Sequence, residues 1–243
     1  LLLLAALVGL WQLAADNGFL ADALGLEPFL VPSPAEIAEV LWRDRSLLAE
    51  HARATVVEIV AGFLVALAAG IGVAVAFHRF GLIRRAGYPL VVASQTIPVI
   101  VIAPVLVVWF GYGIGPKLAV IALICFFPIA VNTLDGLRSV DPDAVRMMRS
   151  LDAGRTRIFL RVEAPSALPQ AFSGARIAVA VAVIGAVFGE WAGSDEGLGH
   201  LMLQDNAQLM TARMFASVVV LSAIAMALYG LLGLLERRVI RWR

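Results

Sequence analysis

Long apolar runs limit what this chain can fold into more than any other feature of the sequence. A helix needs about 20 predominantly apolar residues to cross the hydrocarbon core of a bilayer. An opening run over residues 1–15 is followed by five others that reach or approach that length, separated by polar segments. This pattern predicts an all-α, polytopic membrane protein with about six spans. The predicted second to sixth spans are residues 55–77, 88–110, 118–134, 169–191 and 214–235.

The overall composition indicates the same class. Hydrophobic residues make up 61% of the 243, and only 15% are charged, whereas about a quarter of the residues in soluble domains are charged. The formal net charge of +1 argues against a general basic surface for nucleic acid. Cys125 is the one cysteine and lies in an apolar run, so neither a disulfide framework nor a metal-ligand cluster is predicted.

The first 54 residues divide into an apolar opening and a polar segment. Residues 1–15 are too short for a complete span, and we interpret them as part of a first span, with a signal-peptide core as the alternative. In the polar segment, Ser33, Pro34 and Glu36 have the pattern of a capping box. The helix that they begin has an apolar face, and we expect it to lie along the membrane surface or to be a solvated linker. His51, at its end, is expected to be exposed.

The longest polar interruption, residues 138–169, has the pattern of a docking element and contains six arginines. Asp141 before Pro142 predicts a helix start. A second short helix is expected to begin near Ile158 and to end at the prolines that follow. The alternative is an ordinary basic loop whose arginines only set the topology. The first helix has an apolar stripe at helical spacing, formed by Ala144, Met147, Met148 and Leu151.

The distribution of positive charge predicts an orientation. With a cytoplasmic amino terminus, the predicted inner segments hold thirteen of the nineteen lysines and arginines, and the outer segments hold five. Cytoplasmic loops carry an excess of these residues. Both termini and the docking element are therefore predicted to be cytoplasmic.

Polar residues inside the spans are candidates for a translocation pathway. Proline within a span is tolerated where a cavity or a neighbouring helix satisfies the freed carbonyl groups, and Pro98 and Pro104 interrupt the third span. Polar side chains beside such prolines line a pathway or, alternatively, form hydrogen bonds between helices. The predicted pathway residues are Ser94, Gln95, Thr96, Pro98, Asn132, Arg176 and Glu190.

Two of these candidates have structural alternatives. A charge at the depth of Arg176 needs a partner or water, so Arg176 contacts solute, extends to the inner interface or pairs with Asp135. Glu190 lies near the outer end of its span, where it lines a vestibule or is an ordinary interfacial residue.

The docking element resembles the EAA loop of the membrane subunits of bacterial ABC importers, the binding-protein-dependent transport system inner membrane component family. That motif runs EAA, three residues, Gly, nine residues, Ile, one residue and Leu-Pro. Aligned on Pro165, the sequence has Arg146 in place of Glu, Asp152 in place of Gly and Ala164 in place of Leu. The turn at the motif glycine must then be made by Asp152 in a left-handed conformation or at residues 153–154.

Other segments resemble the nitrate/sulfonate/bicarbonate (taurine-type) branch of the same family. They are residues 98–113 (PVIVIAPVLVVWFGYG), 127–134, and 174–191 followed by the Gly-Leu-Gly of 197–199. The resemblance covers the chain from about residue 31 onward. It is specific for the family and does not choose a substrate.

The resemblance implies a single permease domain, residues 1–243, of the type I importer (MetI-like) fold. Its segments would be a partial first span (1–15), a periplasmic linker (16–54), spans two to four (55–137), the coupling loop (138–166) and spans five and six with a basic carboxyl terminus (167–243). The residues implied to couple to an ATPase are Asp143, Ala144, Arg146, Met147, Met148, Arg149, Leu151, Asp152, Ala153, Gly154, Ile158, Phe159 and Pro165.

Partners follow from the same resemblance. It implies a bacterial inner-membrane complex of two ATPase subunits, a homodimer of this chain, surrounding lipid and a periplasmic or lipid-anchored substrate-binding protein. ATP and Mg would be bound by the ATPase, with no cofactor in this chain. The solute would be nitrate, a sulfonate, bicarbonate, or a thiamine-precursor or riboflavin-like compound.

Two other classes are weighed against a transport subunit. An ion-coupled carrier or channel is disfavoured because no carboxylate is expected in the middle of a span. The sequence also has no phosphate-binding loop that would form an ATP site within this chain. An intramembrane hydrolase would need one of Ser94, Ser173, Ser217 and Ser222 beside a histidine, and all three histidines are expected in loops.

Overall fold

Helices form every regular element in the computed structural model, which describes residues 2–241. Short 3-10 turns lie at Pro28–Leu30 and Ser94–Thr96, and a π-helical turn lies at Phe159–Glu163. The α-helices are α1 (Leu2–Asp16), α2 (Phe19–Leu24), α3 (Pro34–Arg43), α4 (Arg45–Arg79), α5 (Gly81–Ala93), α6 (Val99–Phe110), α7 (Ile114–Arg138), α8 (Pro142–Ser150), α9 (Arg155–Ile158), α10 (Ala164–Gly193), α11 (Leu198–Ala207) and α12 (Thr211–Val239).

Within the described part of the chain, four helical segments are long and apolar enough to cross a membrane: α4, α7, α12 and the continuous stretch Arg155–Gly193. A fifth span is possible if α5 and α6, bent by 101° at the break between them, cross together. The apolar part of α1 is shorter. The predicted all-α membrane architecture is confirmed: residues 2–241 include four or five spans by length and composition, and α1 is the helix of the predicted partial first span.

The core lies where α4, α7 and α10 meet, and small residues let these helices approach closely. A Cβ placed on Gly62 of α4 would lie 2.7 Å from the Ile121 side chain of α7. One placed on Gly174 of α10 would lie 2.5 Å from the Pro128 carbonyl oxygen. Small residues at contact positions are the usual means of close helix packing in lipid, so the small-residue spacing in these spans serves helix contact.

The ends of the bundle differ, and we name them by the short helix found at each: the α8 end and the α11 end. At the α11 end, Ser33 and Glu36 form the predicted capping box of α3, with Ser33 Oγ accepting from the Glu36 amide at 3.2 Å. Ile37 and Val40 of α3 are buried in a cluster with residues of α11 and α12. The apolar face of α3 is therefore covered by the same chain, whereas the sequence predicted contact with the membrane surface or solvent.

The predicted third span is broken rather than only kinked. Ile97 is extended, with φ −87° and ψ 119°, and Pro98 precedes the first residue of α6. A residue before proline is disfavoured in the helical region because of clashes with the proline ring. The chain therefore turns by 101° at this point, and polar residues 94–96 lie at the break.

The prediction that the second helix of the docking element ends at the prolines is wrong. Residues 155–193 are helical throughout, and Pro169 lies inside α10. A π-helical turn at Phe159–Glu163 directly precedes α10 and Pro165. Pro165 lies within the first two positions of α10, where proline is tolerated because its missing N–H leaves no bond unmade. The chain therefore continues from the wider turn into α10 without a break.

Candidate functional site

Helix α8 is a short amphipathic helix at one end of the bundle, with its apolar side open. Asp141 caps it as predicted, accepting from the Asp143 amide at 2.8 Å. Met147 is 62% exposed and Leu151 is 68% exposed. Exposed apolar side chains on one helical face are characteristic of a surface that binds another protein.

The end of α8 is closed by a defined turn. Asp152 adopts the left-handed conformation at φ 56°, and Gly154 is extended at φ −64° and ψ 157°. The Ala153 amide donates to the Met148 carbonyl and the Asp152 amide to the Arg149 carbonyl, both at 3.0 Å. This pair of bonds is a Schellman motif. Of the two predicted alternatives, Asp152 itself therefore makes the turn.

The remaining predicted coupling residues lie on or just after this helix. Ile158 is 4% exposed and anchors the chain after the turn. Phe159 lies beneath the Arg79 guanidinium, 6.0 Å from the ring centre, and Glu163 contacts His78 Nε2 at 3.0 Å. These contacts fix the base of the docking element to the end of α4. The others are placed as follows: Asp143, Arg146, Arg149 and Gly154 are exposed, and Ala144, Met148, Ala153 and Pro165 are half-buried.

The structure separates the predicted pathway residues into four places. Ser94 and Thr96 donate to carbonyls of their own turn, Val91 and Ala93, while Gln95 and Pro98 are exposed at the break between α5 and α6. Asn132 donates to the Pro128 carbonyl at 2.7 Å, at the point where Gly174 approaches α7. Asn132 thus faces a helix contact, whereas Gln95, Thr96 and Pro98 at the α5–α6 break are exposed.

Arg176 does not pair with Asp135, which is exposed. It pairs with Glu236 near the end of α12, with Nη2 and Oε2 2.6 Å apart, and its guanidinium lies 5.5 Å from the Tyr229 ring centre. Glu236 lies on a later helix, 60 residues further along the chain. The local sequence therefore does not identify it as the partner of Arg176.

Glu190 is not an interfacial residue, since it is only 1% exposed. Its Oε1 accepts from the Thr55 hydroxyl at 2.6 Å, and its Oε2 accepts from the backbone amides of Gly199 and His200. A carboxylate needs donors of this kind when it leaves water. Because Glu190 lies at the end of a span, its carboxylate was expected to remain hydrated. Instead, the turn before α11 covers it.

Only Glu190 of this buried group was identified from the sequence, and Thr55, Glu58, Lys117 and Ser194 were missed. Glu58 of α4 is 3% exposed and accepts from the Lys117 ammonium of α7. Lys117 also donates to the Ser194 hydroxyl at 2.8 Å. We call this group the carboxyl cluster, and it consists of Thr55, Glu58, Lys117, Glu190 and Ser194. The sequence signal that could have identified this group was Glu58 itself, a charged residue one helical turn inside an apolar run.

The histidines lie in helices rather than in loops, but none contacts a candidate serine in the described part of the chain. His51, which was expected to be exposed, is half-buried and contacts the Gly197 carbonyl at 3.0 Å. His78 contacts Glu163, and His200 contacts Gln204. The geometry therefore gives no support to an intramembrane hydrolase.

An apolar helical bundle that exposes a capped amphipathic helix at one end defines the class of a membrane transport subunit that works with other chains. The family model for "binding-protein-dependent transport system inner membrane component" matches residues 66–241. The chain belongs to this family. It is a permease subunit of an ABC importer and a transport component rather than an enzyme.

Curated relatives agree with this assignment. A probable ABC transporter permease of Haemophilus influenzae is 38% identical, over 94% of this chain and 91% of its own length. A formylaminopyrimidine transport permease of Halalkalibacterium halodurans is 39% identical, over 89% and 87% of the two chains. A riboflavin transport permease of Chloroflexus aurantiacus is 37% identical, over 90% and 82%. A taurine transport permease of Escherichia coli K12 is 28% identical, over 98% and 87%.

Solved structures support the fold. An amino acid ABC transporter chain matches with a TM-score of 0.63 and 17% identity, covering 82% of this chain and 96% of its own. The MetNI methionine ABC transporter matches with a TM-score of 0.60 and 21% identity, covering 84% and 97%. The expected MetI-like fold is confirmed.

Proposed function

We propose that α8 and its Schellman turn are the element through which this permease is driven by a separate ATPase. The observation that carries the proposal is the exposure of Met147 and Leu151 on a helix capped at both ends. A helix that is already formed and capped binds in a partner's groove without a large ordering cost. The chain itself has no phosphate-binding loop, so the energy for transport comes through this contact.

The charge distribution supports a cytoplasmic location for α8. The α8 end carries Arg79, Arg138 and the arginines of the docking element, and α12 ends in further arginines. An excess of arginine and lysine marks the cytoplasmic side. We therefore place the α8 end, the carboxyl terminus and the amino terminus in the cytoplasm of the cell that carries this inner-membrane protein, and the α11 end outside.

A second copy of the chain is proposed to complete the translocation pathway. In α12, only 6% of the most apolar stretch is buried, against 33–39% for the other three long helical segments. The α5–α6 break exposes Gln95, Thr96 and Pro98. Two copies facing each other across this break would place these polar groups along one path, with ATP-driven closure switching its access from outside to inside.

The proposed solute is a small heterocyclic compound delivered by a substrate-binding protein. Relatives named for formylaminopyrimidine and riboflavin transport are 39% and 37% identical to this chain, while the one named for taurine is 28% identical. This difference favours a thiamine-precursor or riboflavin-like solute over taurine and other sulfonates, nitrate or bicarbonate. Uptake of each labelled compound into vesicles that contain the whole complex tests the choice.

The docking proposal is tested by co-purification with the candidate ATPase subunit. The test variant is Met148→Asp with Arg149→Glu, which adds charge to the apolar stripe and reverses it beside the stripe. The matched control is Val239→Asp with Arg238→Glu, since it makes the same charge change in exposed residues at the end of α12. We expect the α8 variant to insert normally and lose the ATPase, and the control to keep it. Equal retention by both variants would contradict the proposal.

A further inference from the structure

The carboxyl cluster contains more negative than positive charge on side chains that are almost fully buried. Glu190, Glu58 and Lys117 are 1%, 3% and 6% exposed. With both carboxyl groups ionised and the lysine protonated, the three would carry a net charge of −1. An uncompensated buried charge is strongly destabilising, so the cluster needs either a second cation or a bound proton.

No second cation reaches it in the described part of the chain. Within residues 2–241, the one ion pair that involves Glu58 or Glu190 is the pair with Lys117. Glu58 and Lys117 line one side of an opening that Arg53, Glu50 and Glu196 also line, and these last three are exposed and form no ion pair with Glu58. His51 faces Gly197, and the His200 ring faces Gln204. The groups around the cluster therefore leave its charge unbalanced.

The hydrogen bonds indicate where the missing proton lies. Both Glu190 oxygens accept from donors: Thr55 on Oε1, and the Gly199 and His200 amides on Oε2. Glu58 Oε1 accepts from Lys117. Glu58 Oε2 is buried with no hydrogen-bond partner among the described residues, and Thr55, which binds Glu190, lies one turn before Glu58 on α4. A proton on this pair gives the unpartnered oxygen a bond and makes the cluster neutral.

We propose that Glu58 and Glu190 together bind one proton, and that this proton-binding site holds the α11 ends of α4, α7 and α10 to the turn before α11. The proton is shared by the pair, as is usual for interacting carboxyl groups. Deprotonation at alkaline pH leaves a buried charge of −1 that pushes the two carboxylates apart. The helix ends then separate more easily, so the wild-type protein loses stability as the pH rises.

Glu58→Gln is the decisive variant because an amide reproduces a protonated carboxyl group. Its oxygen accepts from Lys117 while its NH₂ donates toward Glu190, and the cluster becomes neutral without a proton. Glu190→Gln also makes the cluster neutral, but it gives Glu58 Oε2 no donor: its NH₂ faces either the Gly199 and His200 amides or Thr55, whose hydroxyl must then donate to the His51 carbonyl at 3.2 Å instead. Glu39→Gln, on an exposed position of α3, is the control for general effects of pH.

The experiment measures the thermal midpoint of the purified full chain in detergent between pH 6 and pH 9. The probe is a thiol-reactive dye, because Cys125 is 0% exposed and becomes labelled on unfolding. We expect wild type and Glu39→Gln to lose about 3 °C or more at high pH, and Glu58→Gln to show a flat profile. Glu190→Gln is expected to be less stable than Glu58→Gln throughout. A wild-type profile as flat as that of Glu58→Gln would overturn the proposal.

A second measurement keeps the proposal testable if a variant fails to fold. A protonated carboxylic acid has an infrared carbonyl stretch that carboxylates lack. Wild-type protein at neutral pH is expected to show this band and to lose it as the pH is raised. The absence of any band that disappears in this way would overturn the proposal without reference to a variant.

Discussion

The two ends of the bundle use charged and polar residues in opposite ways. At the α8 end, arginines and a capped amphipathic helix lie at the surface, with Met147 and Leu151 exposed. At the α11 end, two carboxyl groups and a lysine are buried among three helices and a turn. One end therefore presents its charged and apolar side chains outward, as the proposed contact with an ATPase requires, and the other uses them for contacts within this chain. Matched substitutions at the two ends test the difference.

The largest difference is expected for replacing a cation by methionine. Lys117→Met removes the partner of Glu58 and leaves two buried carboxyl groups, and breaking a buried ion pair costs about 3–5 kcal/mol. The thermal midpoint should fall by about 10 °C. Arg149→Met in exposed α8 should change stability by no more than about 0.5 kcal/mol, while weakening retention of the ATPase. Similar midpoints for the two variants would remove the contrast between the ends.

Glycine-to-alanine changes should divide in the same way. Gly197 has φ +112°, and a Cβ there would overlap the Glu190 carboxyl group, whereas a Cβ on Gly154 would meet nothing within 4 Å. We expect Gly197→Ala to cost about 2 kcal/mol or more through backbone strain and overpacking. Gly154→Ala should be close to neutral. Thermal midpoints of the two variants, recorded side by side, check this, and an unchanged Gly197→Ala would speak against a tightly packed turn.

Removing either helix cap should cost a similar free energy of helix formation, but the two changes should affect different measured properties. Ser33 caps α3 and Asp141 caps α8, and replacing either by alanine costs about 1 kcal/mol of helix stability. Because α3 is packed through Ile37 and Val40, Ser33→Ala should lower the thermal midpoint of the whole chain. Asp141→Ala should leave the midpoint unchanged and reduce ATPase retention, since α8 is stabilised mainly by its own caps. If both variants changed the same property, whether the thermal midpoint or ATPase retention, the contrast between the two ends would be lost.

The smallest effects are expected at the two non-glycine residues with left-handed backbones, Asp152 at φ 56° and Leu209 at φ 57°. Aspartate tolerates this conformation better than leucine does. Asp152→Gly should therefore gain about 0.5 kcal/mol in the α8 turn, and Leu209→Gly about 1 kcal/mol at the α11 end. Hydrogen exchange at residues 148–153 measures the first effect, and the thermal midpoint measures the second. A loss of stability in either variant would show that the side chain supplies more than its backbone costs.

Sequence reasoning succeeded where the signal was local. The long apolar helices, the capping box at Ser33, the cap at Asp141 and the two possible turns at Asp152 all follow from residues within one or two helical turns of each other. The structure confirms them. Assignment to the ABC importer permeases also followed from short motifs, and it is confirmed by the family match.

Long-range contacts were beyond sequence reasoning. Thr55 and Glu190 are 135 residues apart, and Lys117 and Glu58 are 59 apart. Hydropathy shows that a residue needs a partner, but it does not show which helix supplies one. The same limit explains Arg176, for which Asp135 was the nearer choice in the sequence and Glu236 is the observed partner. It also explains α3, whose amphipathic pattern predicts a covered face and says nothing about what covers it.

One helical rod joins the two ends. Arg155–Gly193 contains 39 residues and is about 58 Å long at 1.5 Å per residue. One end of it follows the docking turn, and Glu190 lies near the other. In mechanical terms it is a stiff rod with one more flexible section, the wider π turn at Phe159–Glu163, where the helix is least regular. Under the proposed coupling through α8, a displacement of the docking turn would tilt the helix and move its Glu190 end, and the π turn would determine how much of that motion is lost.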